Sequence, residues 1–313
     1  MLESNRTFDV VIIGGGPAGI AAAIWCGDLG LTSALIDRNE VLGGQLLNVF
    51  NPITNYPGIS AASGSDLRDL FVNSLSRQNC RQLLGLDVVG FDSEKMSVLL
   101  SDGSVYFGNS IIIATGVRRR RLGVPGEKEF LGKGILYSGA KEAQSVKGRN
   151  VLVVGGGDAA TENALILSEF ARSVILVHRG EKLSARRDFV ERIHKTANVN
   201  VLFNSEVLNF EGDNKLLSVN IADRKTNTSQ TIEIDNALVR IGFEPNSELF
   251  RFQINCDQNG YILIDSNCRT TSPNTYAAGD VALPNTQTIA AAAGMGSTAA
   301  KSAAFLINNF KDV

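Results

Sequence analysis

With 313 residues the chain has room for two domains of ordinary size. Thirty lysines and arginines against 32 acids leave a formal charge of −2, so the overall balance makes no case for a nucleic acid or an anionic membrane as partner. A hydrophobic content of 44%, with neither a signal-peptide core nor a bilayer-spanning run, sets the expectation of a cytoplasmic protein with no membrane partner.

The first element is the apolar strand Val10-Val11-Ile12-Ile13, which enters Gly14-Gly15-Gly16-Pro17-Ala18-Gly19 and leaves as an alanine-rich helix. That strand–turn–helix context is what a G-x-G-x-x-G motif requires before it indicates a dinucleotide. Gly14 allows the tight turn and Gly16 lets a pyrophosphate approach the backbone. Gly19 keeps helix and strand close, and the phosphates cap the helix N-terminus. Asp37 lies 23 residues after Gly14, at the end of the strand Ser33–Ile36, with Arg38 beside it. An acid there suits the ribose hydroxyls of an unphosphorylated adenosine. A long loop, a helix over Ser65–Gln78 and strands over Asp87–Phe91 and Ser97–Ser101 are expected next. Ile111-Ile112-Ile113 then ends in the small-residue turn Ala114-Thr115-Gly116.

The same fingerprint returns 141 residues later. Val151-Leu152-Val153-Val154 enters Gly155-Gly156-Gly157-Asp158-Ala159-Ala160, and the offset that gave Asp37 now gives His178, followed by Arg179. A basic pair in place of the acid removes repulsion against a 2′-phosphate and offers a guanidinium to bind it. The pyrophosphate and adenosine contacts are generic, so NADPH, NADH and a second FAD all remain open at this site. Val239–Gly242 mirrors the Ala114–Gly116 strand end. Tyr276-Ala277-Ala278-Gly279-Asp280 returns to a strand and turn, and a long helix follows over Thr288–Asn309. The expected fold is α/β, with two Rossmann-like three-layer domains, one inserted in the other. Residues 1–116 plus 244–313 would form a discontinuous FAD-binding domain, and 117–243 an NAD(P)-like domain.

The four cysteines, Cys26, Cys80, Cys256 and Cys268, form no C-x-x-C pair. Cys26 reads as a small buried thiol in the first helix. Cys256 and Cys268 flank an expected hairpin at Asn259-Gly260 with Tyr261–Ile264, which leaves a relocated disulfide between them open. No metal site is assigned.

Taken together, these residues resemble the low-molecular-weight thioredoxin reductases over nearly the whole chain. Gly43-Gly44-Gln45-Leu46 and Asn55-Tyr56-Pro57-Gly58 look like that family's flavin-cradling loop. Gly242 with Pro245-Asn246 and Ala278-Gly279-Asp280-Val281 extend the match. The resemblance implies FAD held by Gly14, Gly16, Pro17, Ala18, Gly19, Asp37, Arg38, Gly44, Gln45, Leu46 and Asn55. It also implies contacts from Ala114, Thr115, Gly116 and Gly279, with Asp280 on the ribityl chain. Gln287, Thr288 and Ile289 would start a helix whose dipole favours the anion of reduced flavin. Gly155, Gly157, Asp158, Ala159, Ala160, His178 and Arg179 would hold the second nucleotide. Hydride transfer from a nicotinamide to the flavin and a homodimeric assembly are implied as well.

Two departures limit that resemblance. Counting back from Gly155, the family's redox cysteines fall on Ser138 and Lys141, and neither can cycle through a disulfide. Electrons would leave the flavin directly or through a cysteine elsewhere, and the Tyr137 ring could take the space over the flavin that the disulfide vacates. The family's 2′-phosphate clamp reads His-Arg-Arg-x-x-x-Arg, where this chain has His178-Arg179-Gly180-Glu181-Lys182-Leu183-Ser184. One arginine survives in place, with Lys182, Arg186 and Arg187 as substitutes at other spacings, so NADPH selectivity should be weakened. Arg118-Arg119-Arg120-Arg121 could steer an acidic electron carrier such as ferredoxin or flavodoxin. Against the usual ferredoxin-linked form, no aromatic extension follows the last helix, and Phe310 is the last aromatic before Val313. Two alternatives remain: an electron-transfer flavoprotein linked to such a carrier, with the nicotinamide site vestigial or occupied by a second FAD, and a non-catalytic flavin-binding sensor.

Overall fold

The computed structural model describes residues 6–311. The chain divides into two compact units, one running to Arg118 and resuming at Glu244, the other spanning Arg119–Phe243.

In the first unit the strands are β1 (Thr7–Ile13), β2 (Ser33–Asp37), the small hairpin β3 (Ile53–Tyr56) and β4 (Ile59–Ala61), β5 (Cys80–Leu84), β6 (Val88–Asp92), β7 (Ser97–Leu100) and β8 (Val105–Ile113), with helices α1 (Pro17–Asp28) and α2 (Gly64–Leu75) between them. β9 (Val117–Arg119) leaves towards the second unit. The main sheet runs β5-β2-β1-β8-β7-β6, and the late strand β18 (Thr275–Ala277) pairs in parallel with the end of β8. β1 is central and parallel to both neighbours, so Val10 lies between Ser33 and Ser110. Both of its faces are covered, which is why its sequence is continuously apolar rather than alternating. Val10 and Ile12 pack with α1 and the closing helix α6 (Ile289–Lys311) through Ala22, Ala23, Ala299, Ala300 and Ala303. Val11 and Ile13 face Phe91, Tyr106, Phe250 and Ile262 on the other side.

Two expectations need correction here, and one open alternative closes. α2 ends at Leu75 rather than Gln78, because the chain turns there, with the Gln78 amide donating to the Leu75 carbonyl, before entering β5. The Asn259-Gly260 segment makes a single bridge, Cys256 to Ile262, in place of a hairpin ladder. The Asp257 carboxylate shapes that turn by accepting the Asn259 and Tyr261 amides, each at 2.8 Å. Finally, Cys268 is buried in the core under α1 and α6, whereas Cys256 packs on the opposite face of the same sheet. The sheet therefore separates the two thiols, and both are free.

The second unit contains α3 (Gly139–Glu142), β10 (Asn150–Val154), α4 (Asp158–Ser168), β11 (Ser173–Val177), α5 (Arg187–Lys195), β12 (Val199–Leu202), β13 (Ser205–Gly212), β14 (Leu216–Asp223), β15 (Thr228–Glu233) and β16 (Asn236–Val239), after which β17 (Phe243–Pro245) returns the chain. β12-β11-β10-β16 form a parallel sheet, and β13-β14-β15 an antiparallel one. Ala160, Ala164, Phe189 and Ile193 from α4 and α5 cover one face of the parallel sheet. Val207, Phe210, Val219 and Ile221 of the antiparallel sheet cover the other, which completes three layers.

Candidate functional site

The repeat at 141 residues extends to individual hydrogen bonds. The Gly14 amide donates to the Ile36 carbonyl at 2.8 Å, and the Gly155 amide donates to Val177 at 2.9 Å. A returning loop then presents an amide to the middle glycine, Gly43 to the Gly15 carbonyl and Ser184 to that of Gly156, both at 2.8 Å. Each turn feeds a helix whose N-cap glycine, Gly16 or Gly157, supplies no side-chain cap. Both helix N-termini therefore keep open amides and a partial positive charge, the combination that receives a phosphate.

In the first unit one cleft of about 1300 Å³ opens over that helix. It is lined by the turn Gly14–Ala18, by Asp37 and Arg38, by Gly44–Leu46 and Asn55, by Ala114–Gly116, by Gly279 and Asp280, and by Gln287–Ile289. Gly19 lies beneath it, where a Cβ would drive into the Gly14 carbonyl. A Cβ on Gly16 would meet nothing closer than the Gly44 Cα at 4.0 Å, so its face is open to the cleft. Asp37 has a structural task besides any ribose contact. Its Oδ2 accepts the Gly15 amide at 2.6 Å, and its Oδ1 accepts the Asn39 amide and Nδ2, each at 2.8 Å. A carboxylate has about four acceptor positions, so capacity remains. Asp280 accepts no hydrogen bond from the described residues, and burial alone pushes its carboxyl above the ordinary range. The Thr288 hydroxyl caps α6 by accepting the Ala291 amide at 3.1 Å, and Gln287–Ala290 at that helix start line the cleft.

Further residues brace this cleft. Asn246 donates from Nδ2 to the Thr115 carbonyl at 2.8 Å and receives the Thr115 hydroxyl on its own carbonyl at 2.7 Å. Gln45 reaches the Val117 carbonyl at 2.8 Å. Arg118 donates to Glu244 at 2.8 Å, to Asn246 at 3.1 Å and to Glu248. The Pro245-Asn246 motif signals Asn246, but nothing local to Arg118 signals its acidic partners. In the second unit Arg119 donates to the Tyr137 carbonyl at 2.5 Å and Arg120 to the Phe243 carbonyl at 2.8 Å. Three members of the arginine run therefore have partners within their own units.

At the second glycine turn the His178 ring presses on Gly156 as Asp37 does on Gly15. Burial lowers the His178 pKa, so its imidazole is neutral at pH 7. The Arg179 guanidinium is exposed and has no partner among the described residues. Arg186 is committed elsewhere: Asp158 accepts its amide at 2.7 Å and its Nε at 2.8 Å. Arg187 pairs with Glu191 at 2.8 Å, and Lys182 is exposed. Ala159 follows Asp158 in the first turn of α4, and Ala160 is buried against Gly155.

The segment replacing the redox cysteines is ordered by other means. The Ser138 hydroxyl caps α3 by accepting the Lys141 amide at 3.4 Å. Glu142 accepts the Tyr137 and Ser138 amides at 2.9 and 2.8 Å. The Tyr137 side chain is 58% exposed. Burial pushes the thiols up, Cys26 to about 12 and Cys268 to about 11, far from the range of a reactive thiolate. Among the described residues no acid, histidine or cysteine cluster is placed to hold a metal ion, and no helix is long and apolar enough to cross a membrane.

A family model described as pyridine nucleotide-disulphide oxidoreductase matches residues 8–296. The chain belongs to that family. A thioredoxin reductase of Listeria innocua is 32% identical over 313 residues, covering 100% of this chain and 98% of its own. A Clostridium pasteurianum relative, the 34.2 kDa protein in the rubredoxin operon, is 33% identical over 283 residues, covering 90% and 91%. The crystal structure of Lactococcus lactis thioredoxin reductase superposes with a TM-score of 0.83 at 31% identity, over 96% of this chain and 99% of that one. The bacillithiol disulfide reductase of Bacillus cereus, at 20% identity and a TM-score of 0.79, shares the fold. As a pyridine nucleotide-disulphide oxidoreductase the protein is a flavin-dependent enzyme, and the family implies FAD and a nicotinamide dinucleotide. The residues present fit both groups. The first unit offers an open, uncapped helix N-terminus, a face of Gly16 that a Cβ would fill, and a half-buried acid lacking a partner. The second offers an uncapped helix and a free guanidinium.

Proposed function

We propose that this oxidoreductase takes electrons from a nicotinamide dinucleotide in the Arg119–Phe243 unit, passes them through FAD in the other unit, and delivers them to an acceptor without a dithiol relay. The observation that carries this reading is the pair Ser138 and Lys141 at the cysteine positions, in a chain whose four cysteines are all free. Bound FAD supplies the capacity to take up a hydride and to release electrons in pairs or singly. The chain's own residues bind and orient. The α1 amides take the pyrophosphate, the Asp280 carboxylate accepts a ribityl hydroxyl, and the α6 N-terminus sets positive potential at the pyrimidine edge. In the second unit the α4 amides and Arg179 hold the other dinucleotide.

The acceptor is then a small oxidised molecule or a one-electron carrier. The rubredoxin operon in the name of the Clostridium pasteurianum relative supports the carrier reading. Releasing and counting the nucleotides of the purified protein, followed by anaerobic mixing with NADPH and NADH, tests the proposal. One FAD per chain with bleaching by a pyridine nucleotide supports it. Two FAD per chain, or thioredoxin turnover that depends on a cysteine pair, overturns it.

A further inference from the structure

The two glycine turns differ at one place that the 141-residue register does not reach. In the first unit the Ala114 carbonyl closes over Gly14, and Ala114 lines the cleft. In the second unit the carbonyl closing over Gly155 belongs to Arg240. The equivalence is structural: β8 and β16 both pair in parallel with the strand that enters the glycine turn. Both then reach a glycine in the left-handed region, Gly116 at φ +64° and Gly242 at φ +95°. A dinucleotide laid on the second turn in the manner of the first therefore runs past an arginine where the first meets a methyl group.

Arg240 is joined there by a second cation. Its Nη2 donates to the Tyr137 carbonyl at 3.1 Å and its Nη1 to the Val239 carbonyl at 2.8 Å. Arg119 donates to the same Tyr137 carbonyl. Two guanidiniums thus converge on one neutral acceptor, and neither forms an ion pair with a carboxylate among the described residues. The acid closest in sequence to that carbonyl, Glu142, accepts the Tyr137 and Ser138 amides. Burial and the like charge of Arg119 outweigh the attraction of Glu142 and bring Arg240 down to about 10, so it stays charged at neutral pH, and burial also lowers Arg119. The second unit therefore carries two adjacent guanidiniums beside its glycine turn, only partly offset by the Glu142 carboxylate.

We infer that Arg119 and Arg240 set the redox-state preference of the second dinucleotide site, admitting the neutral dihydronicotinamide and disfavouring the cationic oxidised ring. This rests on the nicotinamide reading of the site given above. The adenosine and pyrophosphate are common to both redox states, so discrimination has to act on the ring, where the states differ by one unit of charge. Repulsion of that charge by two guanidiniums at intermediate dielectric corresponds to on the order of tenfold in affinity. Such a site releases its oxidised product as soon as the ring acquires charge.

The test is equilibrium binding to the FAD-loaded protein of three probes: NADP+, its 1,4,5,6-tetrahydro analogue with a neutral, redox-inert ring, and 2′-phospho-ADP-ribose, which has no ring. The tetrahydro analogue should bind about tenfold more tightly than NADP+. Arg119→Ala and Arg240→Ala should each narrow that ratio, the double variant should bring it close to one, and Arg240→Lys should keep most of it. Affinity for 2′-phospho-ADP-ribose should stay the same throughout, which also shows that the variants are folded. A wild-type ratio near one, or a ratio that survives the double substitution, overturns the inference. An equal loss for all three probes would assign the pair to the phosphates and overturn it as well. Failure of all three to bind any form would remove the nicotinamide reading, and the inference with it.

Discussion

The second site should distinguish NADPH from NADH through one arginine. Arg179 is exposed and free to meet a 2′-phosphate. The Arg186 guanidinium could join it only by leaving Asp158, breaking its charge-assisted contact at 2.8 Å at the start of α4. Bonds to charged groups contribute about 1.5–3 kcal/mol each, so exchanging the Asp158 contact for a phosphate contact yields no net gain. A single guanidinium–phosphate contact of the same size corresponds to roughly 10- to 150-fold in affinity, and solvent screening of an exposed pair moves the expectation to the lower end. Wild type should therefore prefer NADPH by about tenfold, and Arg179→Ala should remove the preference while leaving NADH binding unchanged. Anaerobic stopped-flow, following flavin bleaching against the concentration of each nucleotide, reads both numbers. A preference of about a thousandfold, or one that survives Arg179→Ala, would refute the assignment.

Other outcomes follow from the same geometry. The thiols should be nearly inert to a disulfide reagent at neutral pH in the native protein and react fully on unfolding, because burial raises all four; rapid native labelling of two thiols would indicate a dithiol centre. Asp280 has a native pKa above its unfolded value, so the stability linked to it is fully present at acid pH and is lost as pH rises through the native pKa. Asp280→Asn should accordingly raise the melting temperature of the apoprotein at neutral pH, leave it unchanged in acid and weaken FAD binding, which thermal melts and flavin titration would check. Asp37→Ala removes the acceptor of the Gly15 amide and of two Asn39 donors. The loss of bonds to a charged acceptor should cost about 3 kcal/mol of cleft stability and release FAD during gel filtration, whereas undiminished retention would place the Gly15 turn under other control.

The sequence was most readable where chemistry is local. Val10–Ile13 and Val151–Val154 are apolar on successive residues because both faces of each strand are covered, and the glycine turns follow from the same backbone register. The correspondence of Asp37 with His178 holds in three dimensions, since both press on the middle glycine. What escaped the sequence involves partners more than 100 residues apart. Asn246 braces Thr115, and Arg240 meets Arg119 at Tyr137. The arginine run suggested a surface for an acidic carrier, yet Arg118 and Arg120 each donate to an acceptor more than 120 residues away, and Arg119 to the Tyr137 carbonyl 18 residues on. Cys256 and Cys268 could not be paired or separated from sequence for the opposite reason, because residues near each other in the chain are parted here by a sheet.

An anaerobic reductive titration with dithionite tests most directly whether electrons leave without a dithiol relay. FAD takes up two electrons, and a C-x-x-C disulfide in communication with it would take up two more. With Ser138 and Lys141 at those positions and four free thiols, the protein should be fully reduced by about two electrons per FAD. Uptake of about four electrons per FAD, falling to about two when the cysteines are replaced, would contradict the proposed route.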